Sequence, residues 1–200
     1  MITKIIALIL MAVFYICYFA KMLSQKQQGI HTDQLGKGKE GFEKFIEITL
    51  KLATYILPLL QVVSIMLYIK EPDRILQIAG LIIEFVGVLI FIMSVAEMKE
   101  NWRAGVQRDE KTDLVTTGIY SLSRNPAFLG FILMYIGILI SFFYFYLFVA
   151  TLITVILFHL QIVNVEEKFL IEAFGDDYRQ YQSKTCRYFG RNSCSRNRTD

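Results

Sequence analysis

Long apolar runs separated by polar loops dominate the first half of the chain. The runs cover about residues 5–23, 45–69 and 75–98. Each has about the 20 residues that a helix needs to cross the roughly 30 Å hydrocarbon core of a bilayer. The first run is long for a signal peptide and lacks an Ala-x-Ala cleavage site, which favours a retained helix. Only residues 70–74 separate the second run from the third, so the pattern predicts a tight antiparallel pair of spans.

A longer apolar stretch follows in the second half. Residues 125–165 are 41 positions without an Asp, Glu, Lys or Arg. As one helix they would extend about 61 Å, which is two crossings of a bilayer. We therefore predict a helical hairpin, from Pro126 to about Ser141 and from about Tyr144 to Val165. The predicted fold class is all-α, a polytopic membrane bundle of about five helices.

A short amphipathic helix is expected after the hairpin. Phe169, Leu170 and Phe174 give it an apolar face along the membrane surface, and Gly175 is expected to end it. The chain then divides into three N-terminal spans (residues 1–98), a core of loop, hairpin and amphipathic helix (99–182) and a polar tail (183–200).

Composition and charge exclude several classes of protein. The 200 residues are 54% hydrophobic, and the concentration of apolar residues in spans excludes a disordered chain, a disulfide scaffold and an ordinary cytosolic enzyme. The 21 basic and 18 acidic residues are too evenly balanced to indicate nucleic-acid binding. Three cysteines and two histidines lack the spacing of a metal site, so no metal is predicted.

Basic residues indicate the orientation of the spans. Residues 21–44 and 99–124 each hold five Lys or Arg, whereas the opposite side shows Lys4, Lys70 and Arg74. The positive-inside rule places both of these Lys- and Arg-rich loops in the cytoplasm and the N-terminus outside. The hairpin then returns the segments before Pro126 and after Val165 to the same, cytoplasmic, face. Polar residues at both of its ends are therefore expected to share one site.

Polar groups near the hairpin ends are the candidates for chemistry. Pro126 suits the first turn of a helix, whose free N–H groups together with Arg124 would attract an anion. Glu166 and Glu167 follow the last span. The same residues are also compatible with a non-catalytic segment at the membrane interface, in which basic side chains contact the phosphates of lipid headgroups. Residues 36–41 match Gly-x-Gly-x-x-Gly but lack the strand that a dinucleotide site requires.

Glu84 is a carboxyl near the middle of the third span. Such a group is a functional candidate. It also shares a helical face with Gly80, Gly87 and Ser94, which indicates a helix-packing seam in which Gln61 would hydrogen-bond a protonated Glu84. Gly130, Gly137 and Ser141 form a similar seam on the fourth span.

Three motifs stand out within residues 107–182. Residues 114–120 read Leu-Val-Thr-Thr-Gly-Ile-Tyr, and residues 124–130 read Arg-Asn-Pro-Ala-Phe-Leu-Gly. Glu166-Glu167 are followed by Phe-Gly-Asp-Asp-Tyr-Arg-Gln-Tyr at 174–181. In order and spacing these motifs resemble the elements of the integral membrane methyltransferases, which include isoprenylcysteine carboxyl methyltransferases and their phospholipid methyltransferase relatives. The second motif resembles the family's Arg-His-Pro-x-Tyr-x-Gly element, the first resembles the segment that precedes it, and the third resembles the family's C-terminal elements.

The resemblance implies an S-adenosylmethionine-dependent enzyme without a Rossmann domain. The acceptor it implies is a lipid or isoprenylated molecule, with isoprenylcysteine-type carboxyl methylation as the leading reaction, and membrane lipids surround the protein. From their charges, Arg124 and Glu167 are the candidate catalytic residues: Arg124 is expected to orient an anionic acceptor, and Glu167 either interacts with the acceptor or faces water. The residues that the resemblance assigns to the cofactor are Gln107, Leu114, Val115, Tyr120, Asn125, Pro126, Phe128 and Glu166.

The chain departs from the family pattern at two points. Asn125 stands where the family has a titratable histidine. Eukaryotic members also carry an arginine on the last span for the substrate carboxylate, whereas the first basic residue after Asn125 in this chain is Lys168. Two other functions stay open from the sequence. One is an NADPH-dependent reductase of the sterol-reductase type, with Arg103, Arg108 and Arg124 on the 2′-phosphate, and the other is a non-catalytic membrane scaffold.

Overall fold

The described residues are mainly helical. A computed structural model describes residues 1–28, 35–36, 38–69, 73–102 and 113–190. Its α-helices are α1 (Ile2–Gln27), α2 (Gly41–Leu67), α3 (Arg74–Met98), α4 (Pro126–Ser141), α5 (Phe145–Gln161) and α6 (Glu167–Lys184). Two 3-10 turns, Lys99–Asn101 and Gly118–Ser121, flank the loop before α4. One π-helical turn, Ile162–Glu166, joins α5 to α6.

The predicted all-α polytopic bundle is confirmed. Within the described residues, α1, α2, α3 and the helical stretch Phe145–Lys184, which comprises α5, the π-helical turn and α6, are long and apolar enough to cross a membrane, and α4 is a shorter apolar helix of 16 residues. The hairpin between α4 and α5 turns at residues 142–144. Phe142 is buried there, and the Tyr144 hydroxyl donates to the Leu67 carbonyl over 2.8 Å, so side chains rather than Gly or Pro define the turn.

Contacts between the helix ends show which ends share a side of the bundle. At one side, Lys4 of α1 donates to the carbonyl of Met66, near the end of α2. At the other side, Gln25 of α1 donates to the Trp102 carbonyl over 2.8 Å. Glu47 of α2 meets Gln161 of α5 on that second side. The end of α1, the start of α2 and the end of α5 therefore lie together, as the predicted topology requires.

Helices α3 and α4 pack backbone to backbone through glycines. A Cβ atom on Gly87 would lie 2.6 Å from the Met134 nitrogen and 2.8 Å from the Gly130 carbonyl oxygen. A Cβ atom on Gly137 would meet the backbone of Gly80 and Glu84. The two glycine stripes expected from the sequence are thus the two faces of one interface, as small residues permit in membrane helices.

Substitution in this interface should destabilise the bundle. Gly137→Ala places a methyl group against the Glu84 backbone, which cannot rotate away as a side chain would. The expected cost is about 1–3 kcal/mol, seen as a lower Tm of the detergent-purified protein. Ala12→Val on the exposed face of α1 adds carbon without a helix neighbour and serves as the control. Equal Tm values for the two variants would contradict the close α3–α4 approach.

Glu84 is fully buried at this crossing, together with the α3 glycines. Neither its carboxyl nor the side-chain amide of Gln61 has a hydrogen-bond partner among the described residues. The hydrogen bond expected between the two side chains is therefore not formed.

The helix after the hairpin is interrupted at Gly175, as predicted. Gly175 has φ 53°, in the left-handed region that favours glycine, and kinks α6 there. A second helical segment, which was not predicted, follows the kink and ends at Lys184. Tyr178 and Tyr181 are buried beyond the kink, and this packing holds the second half of α6 on the bundle.

Residues 185–190, called here the C-terminal segment, continue from α6 back to the entry of α4. The Arg124 backbone N–H donates to the Cys186 carbonyl over 3.0 Å, and that of Gly190 donates to the Leu122 carbonyl over 2.8 Å. The Tyr188 hydroxyl lies 2.9 Å from Nδ1 of His159 on α5. The C-terminal segment is thus fixed to both helices of the hairpin.

Candidate functional site

One cluster of carboxylates lies where α2 begins and α5 ends. Nε2 of Gln161 donates to Oε1 of Glu47 over 3.0 Å and to Oε1 of Glu166 over 3.3 Å. Glu47 is fully buried, forms an ion pair with Lys39 and accepts from the Gly36 N–H over 2.6 Å. Two carboxyl groups thus share the Gln161 amide, and Glu47 has in addition the ion pair with Lys39.

The π-helical turn sets the position of Glu166. It widens the end of α5 over Ile162–Glu166, and such turns often mark functional positions because they re-aim the residues that follow. Glu166 stays half-buried beside Gln161, whereas Glu167 begins α6 and faces a different group of residues. The adjacent carboxyls therefore belong to two separate clusters.

Two arginines surround Glu167 in the second cluster. Arg124 lies 2.9 Å from one Glu167 oxygen, and the Arg187 guanidinium forms two bonds of 2.9 and 2.8 Å to the carboxylate. Arg124 also donates to the Tyr178 hydroxyl over 3.3 Å. The hydrogen bonds to Glu167 raise the pKa of Arg187. Its guanidinium therefore stays charged at physiological pH.

Tyr120 is held against the end of α3. Its hydroxyl lies 2.7 Å from Ser94 Oγ, and its carbonyl accepts from Tyr181 over 2.5 Å. Gly118 begins this turn with φ 54°, and a Cβ atom there would meet the Glu97 carboxylate. Burial raises the pKa of Tyr120 above its ordinary value, and the carboxylates of Glu166 and Glu97 add to that effect. Tyr120 is therefore a neutral phenol within electrostatic reach of Glu166.

An apolar cavity of about 300 Å³ adjoins the carboxylate cluster. Gln161 belongs to both, because its side chain lines the cavity and bonds Glu47 and Glu166. Phe19 of α1 and Tyr55 of α2 line the cavity while 50% and 59% exposed, so it opens sideways between those two helices. Further lining residues are Tyr18, Trp102, Ala127, Phe128, Phe131 and Phe158.

The residues singled out from the sequence fall into several places. Arg124 and Glu167 share the arginine cluster, and Glu166 lies in the carboxylate cluster. Phe128 lines the cavity beside Phe158, with ring centroids 5.4 Å apart.

The other sequence-predicted residues lie around the entry of α4. Pro126 is its first residue, and the Asn125 side-chain amide donates to the Arg187 carbonyl over 3.2 Å. Leu114 and Val115 are half-buried in the irregular segment before Gly118. Gln107 lies outside the described residues, as do Arg103 and Arg108.

Sequence reasoning missed Glu47, Gln161 and Arg187 as site residues. Glu47 could have been identified, because a carboxyl inside an apolar span is a functional candidate and the same criterion singled out Glu84. Gln161 lies in the charge-free stretch, where a single amide stands out little. Arg187 is one of many basic residues after α6, and its role depends on how the C-terminal segment folds back.

Comparison with known proteins identifies the family. Residues 75–177, just over half of the chain, match the phospholipid methyltransferase family. The match begins with α3 and ends within α6, so it includes the hairpin, Arg124, Glu166 and Glu167. Glu47 and Arg187 lie outside it.

Two curated relatives are similar over a shorter stretch. The chain is 35% identical over 83 residues to a protein-S-isoprenylcysteine O-methyltransferase of Schizosaccharomyces pombe, a stretch that is 39% of this chain and 33% of that protein. It is 38% identical over 71 residues to the protein of the same name from Saccharomyces cerevisiae, covering 36% of this chain and 30% of the other. The chain thus matches about a third of the length of each relative. The family match over α3 to α6 shows that the chain belongs to the phospholipid methyltransferase family.

Proposed function

We propose that the chain is an integral membrane methyltransferase that uses S-adenosylmethionine and methylates the carboxylate of an isoprenylated cysteine. The observation that carries the proposal is the junction at Gln161, where an apolar cavity open to the membrane adjoins buried carboxylates. The relatives in both yeasts bear the name of this reaction, and their similarity supports the choice of acceptor.

The carboxylate cluster fits the charges of S-adenosylmethionine, which carries a sulfonium, an ammonium and a carboxylate. Glu47 and Glu166 both accept from the Gln161 amide, and the buried Oε1 of Gln161 has no hydrogen-bond partner among the described residues. A cationic N–H donor would satisfy that oxygen and pair with the carboxyl groups. Glu166 is the proposed ligand of the ammonium group.

Further residues are assigned to the carboxylate and the adenosine of S-adenosylmethionine. The Asn125 amide has two N–H bonds, and its contact with Arg187 uses one, which leaves the other for the carboxylate of the methionine moiety. Backbone N–H groups at the start of α4, opened by Pro126, add to this anion site. Tyr120 and Phe128 flank the adenosine, and Gln107, Leu114 and Val115 complete the proposed cofactor pocket.

The chemistry needs positioning more than proton transfer. When bound, S-adenosylmethionine supplies a methyl group whose bond to sulfur breaks as the bond to the acceptor oxygen forms, and the electron pair stays on sulfur. A carboxylate acceptor is already deprotonated at pH 7, so no side chain has to act as a base. Arg124 orients the anionic acceptor, and Glu167 holds the Arg124 guanidinium in place over 2.9 Å. The apolar walls exclude water, which favours a reaction in which opposite charges cancel.

The membrane supplies the acceptor from the side. Phe19 and Tyr55 stand at the opening between α1 and α2, so an isoprenyl chain can enter the cavity without leaving the apolar phase. The positive-inside rule places this end of the bundle on the cytoplasmic side. We place the active site there.

The proposal is tested with an S-farnesylated, N-acetylated cysteine and S-adenosylmethionine labelled in its methyl group. The purified full chain should transfer label to the free acid as a base-labile ester. It should transfer none to the corresponding amide, which lacks the acceptor oxygen. Equal labelling of acid and amide, or base-stable label, would contradict carboxyl methylation.

A further inference from the structure

The C-terminal segment carries a second arginine to the mouth of the hairpin. Arg187 follows Glu167 by 20 residues and meets it through two hydrogen bonds of 2.9 and 2.8 Å. The backbone around it is fixed, because the Cys186 carbonyl accepts from Arg124 and the Arg187 carbonyl accepts from Asn125. The position of Arg187 is therefore set by the fold.

Among the residues that the structure describes, two guanidinium groups in this cluster share one carboxylate. Arg124 and Arg187 share Glu167, while Glu166 is bonded to Gln161 in the other cluster. The side chains of Arg124 and Glu167 are each only 9% exposed. Nε of Arg124 is buried and has no hydrogen-bond partner among the described residues. A buried donor without a partner costs free energy, and an anion that reaches the two guanidinium groups would supply that partner.

We propose that Arg187 and Arg124 together form a carboxylate-binding site in which Glu167 fixes the orientation of both guanidinium groups. The inference rests on the proposed function, because both of its reactants bring a carboxylate. One belongs to the methionine moiety of the donor and the other to the cysteine of the acceptor. Arg187 is 33% exposed and can reach a ligand from the side of the C-terminal segment, whereas Arg124 lies deeper.

Guanidinium geometry makes this choice of ligand specific. Arginine presents planar pairs of N–H groups that match the two oxygens of a carboxylate. The site also supplies a cation from outside the stretch between Asn125 and Glu167, where the sequence has none. The bilayer-embedded hairpin thereby stays free of charge.

Arg187→Gln tests the site, with Lys184→Gln as the matched control. Lys184 is exposed at the end of α6, and its replacement removes the same charge from the same part of the chain. We measure the Kd of S-adenosylhomocysteine by calorimetry and the KM of the farnesylated cysteine acid by methyl transfer. Arg187→Gln should raise one of these constants about tenfold to a hundredfold, as loss of a charged hydrogen-bond pair does. Lys184→Gln should leave both unchanged.

The two constants distinguish the source of the carboxylate. A higher KM with unchanged Kd assigns the site to the acceptor. A higher Kd assigns it to the donor, provided that an S-adenosylhomocysteine analogue without its carboxylate binds wild type and Arg187→Gln equally. Arg187→Lys keeps the positive charge but loses the planar pair of N–H groups, so its affected constant should lie between those of the wild type and Arg187→Gln. If Arg187→Gln does not fold, Arg187→Lys is compared with the wild type instead.

Unchanged Kd and KM in folded Arg187→Gln, or in Arg187→Lys if only that variant folds, would overturn the inference and leave the proposed function standing. If the folded wild-type protein bound no S-adenosylhomocysteine, the proposed function itself would be contradicted.

Discussion

Glu166→Gln should weaken the binding of S-adenosylhomocysteine about a hundredfold. Glutamine has nearly the same shape and keeps a contact with Gln161, so the variant removes the charge and little else. A hydrogen bond between a carboxylate and an ammonium is worth up to about 3 kcal/mol, which corresponds to about two powers of ten in Kd. Calorimetric titration of the detergent-purified full chain measures the change.

Two further variants make this result specific. Asp177→Asn removes a carboxylate from the exposed part of α6 and should bind like the wild type. Glu47→Gln removes the other carboxylate that shares the Gln161 amide. An unchanged Kd in Glu166→Gln combined with a large loss in Glu47→Gln would move the ammonium ligand to Glu47, and unchanged binding in both would contradict the carboxylate cluster as a cofactor site.

Thr54→Phe should lower kcat/KM for the farnesylated acceptor about a hundredfold. Thr54 lines the cavity from α2, and a phenyl ring there occupies space that the isoprenyl chain would fill. Each excluded methylene-sized group costs about 0.8 kcal/mol, so exclusion of about four of them gives this factor. The Kd of S-adenosylhomocysteine should stay the same, because the polar clusters are not altered.

Leu59→Phe is the matched control for the cavity. Leu59 lies on the same helix but is 67% exposed on its outer face, so the larger ring projects away from the cavity. Its kcat/KM should equal that of the wild type. If Thr54→Phe and Leu59→Phe had the same kcat/KM, the acceptor chain would not pass through this cavity.

The sequence was most informative about the membrane-spanning helices, because the thickness of the bilayer sets their length. Spans need about 20 apolar residues, so the charge-free stretch of 41 residues had to form two crossings, and the hairpin between α4 and α5 has the predicted limits within a few residues. Gly175 interrupts the amphipathic helix as predicted, because a glycine with positive φ commonly ends a helix. The second helical segment beyond it was not predicted, and burial of Tyr178 and Tyr181 stabilises that segment.

The site was predictable only in part. Arg124, Glu166 and Glu167 lie in short motifs, so their types and spacing could be recognised. Glu47 and Gln161 are 114 residues apart, and their contact depends on how α2 packs against the end of α5. Arg187 reaches Glu167 only because the C-terminal segment folds back on the entry of α4. Such contacts follow from tertiary packing, which local patterns do not encode.

The structure also bears on the reductase alternative. Of the three arginines in that hypothesis, Arg124 lies in the cluster with Glu167 and Tyr178, where its guanidinium attracts an anion of either kind. Arg103 and Arg108, the other two residues of that hypothesis, lie outside the described residues. The choice between donors is therefore best made by direct binding.

Calorimetric titration of the folded full chain with S-adenosylhomocysteine, and in parallel with NADPH, tests the central claim. We expect saturable binding of S-adenosylhomocysteine and no binding of NADPH. Binding of NADPH alone would contradict the claim in favour of a reductase. Binding of neither ligand would contradict it in favour of a membrane scaffold.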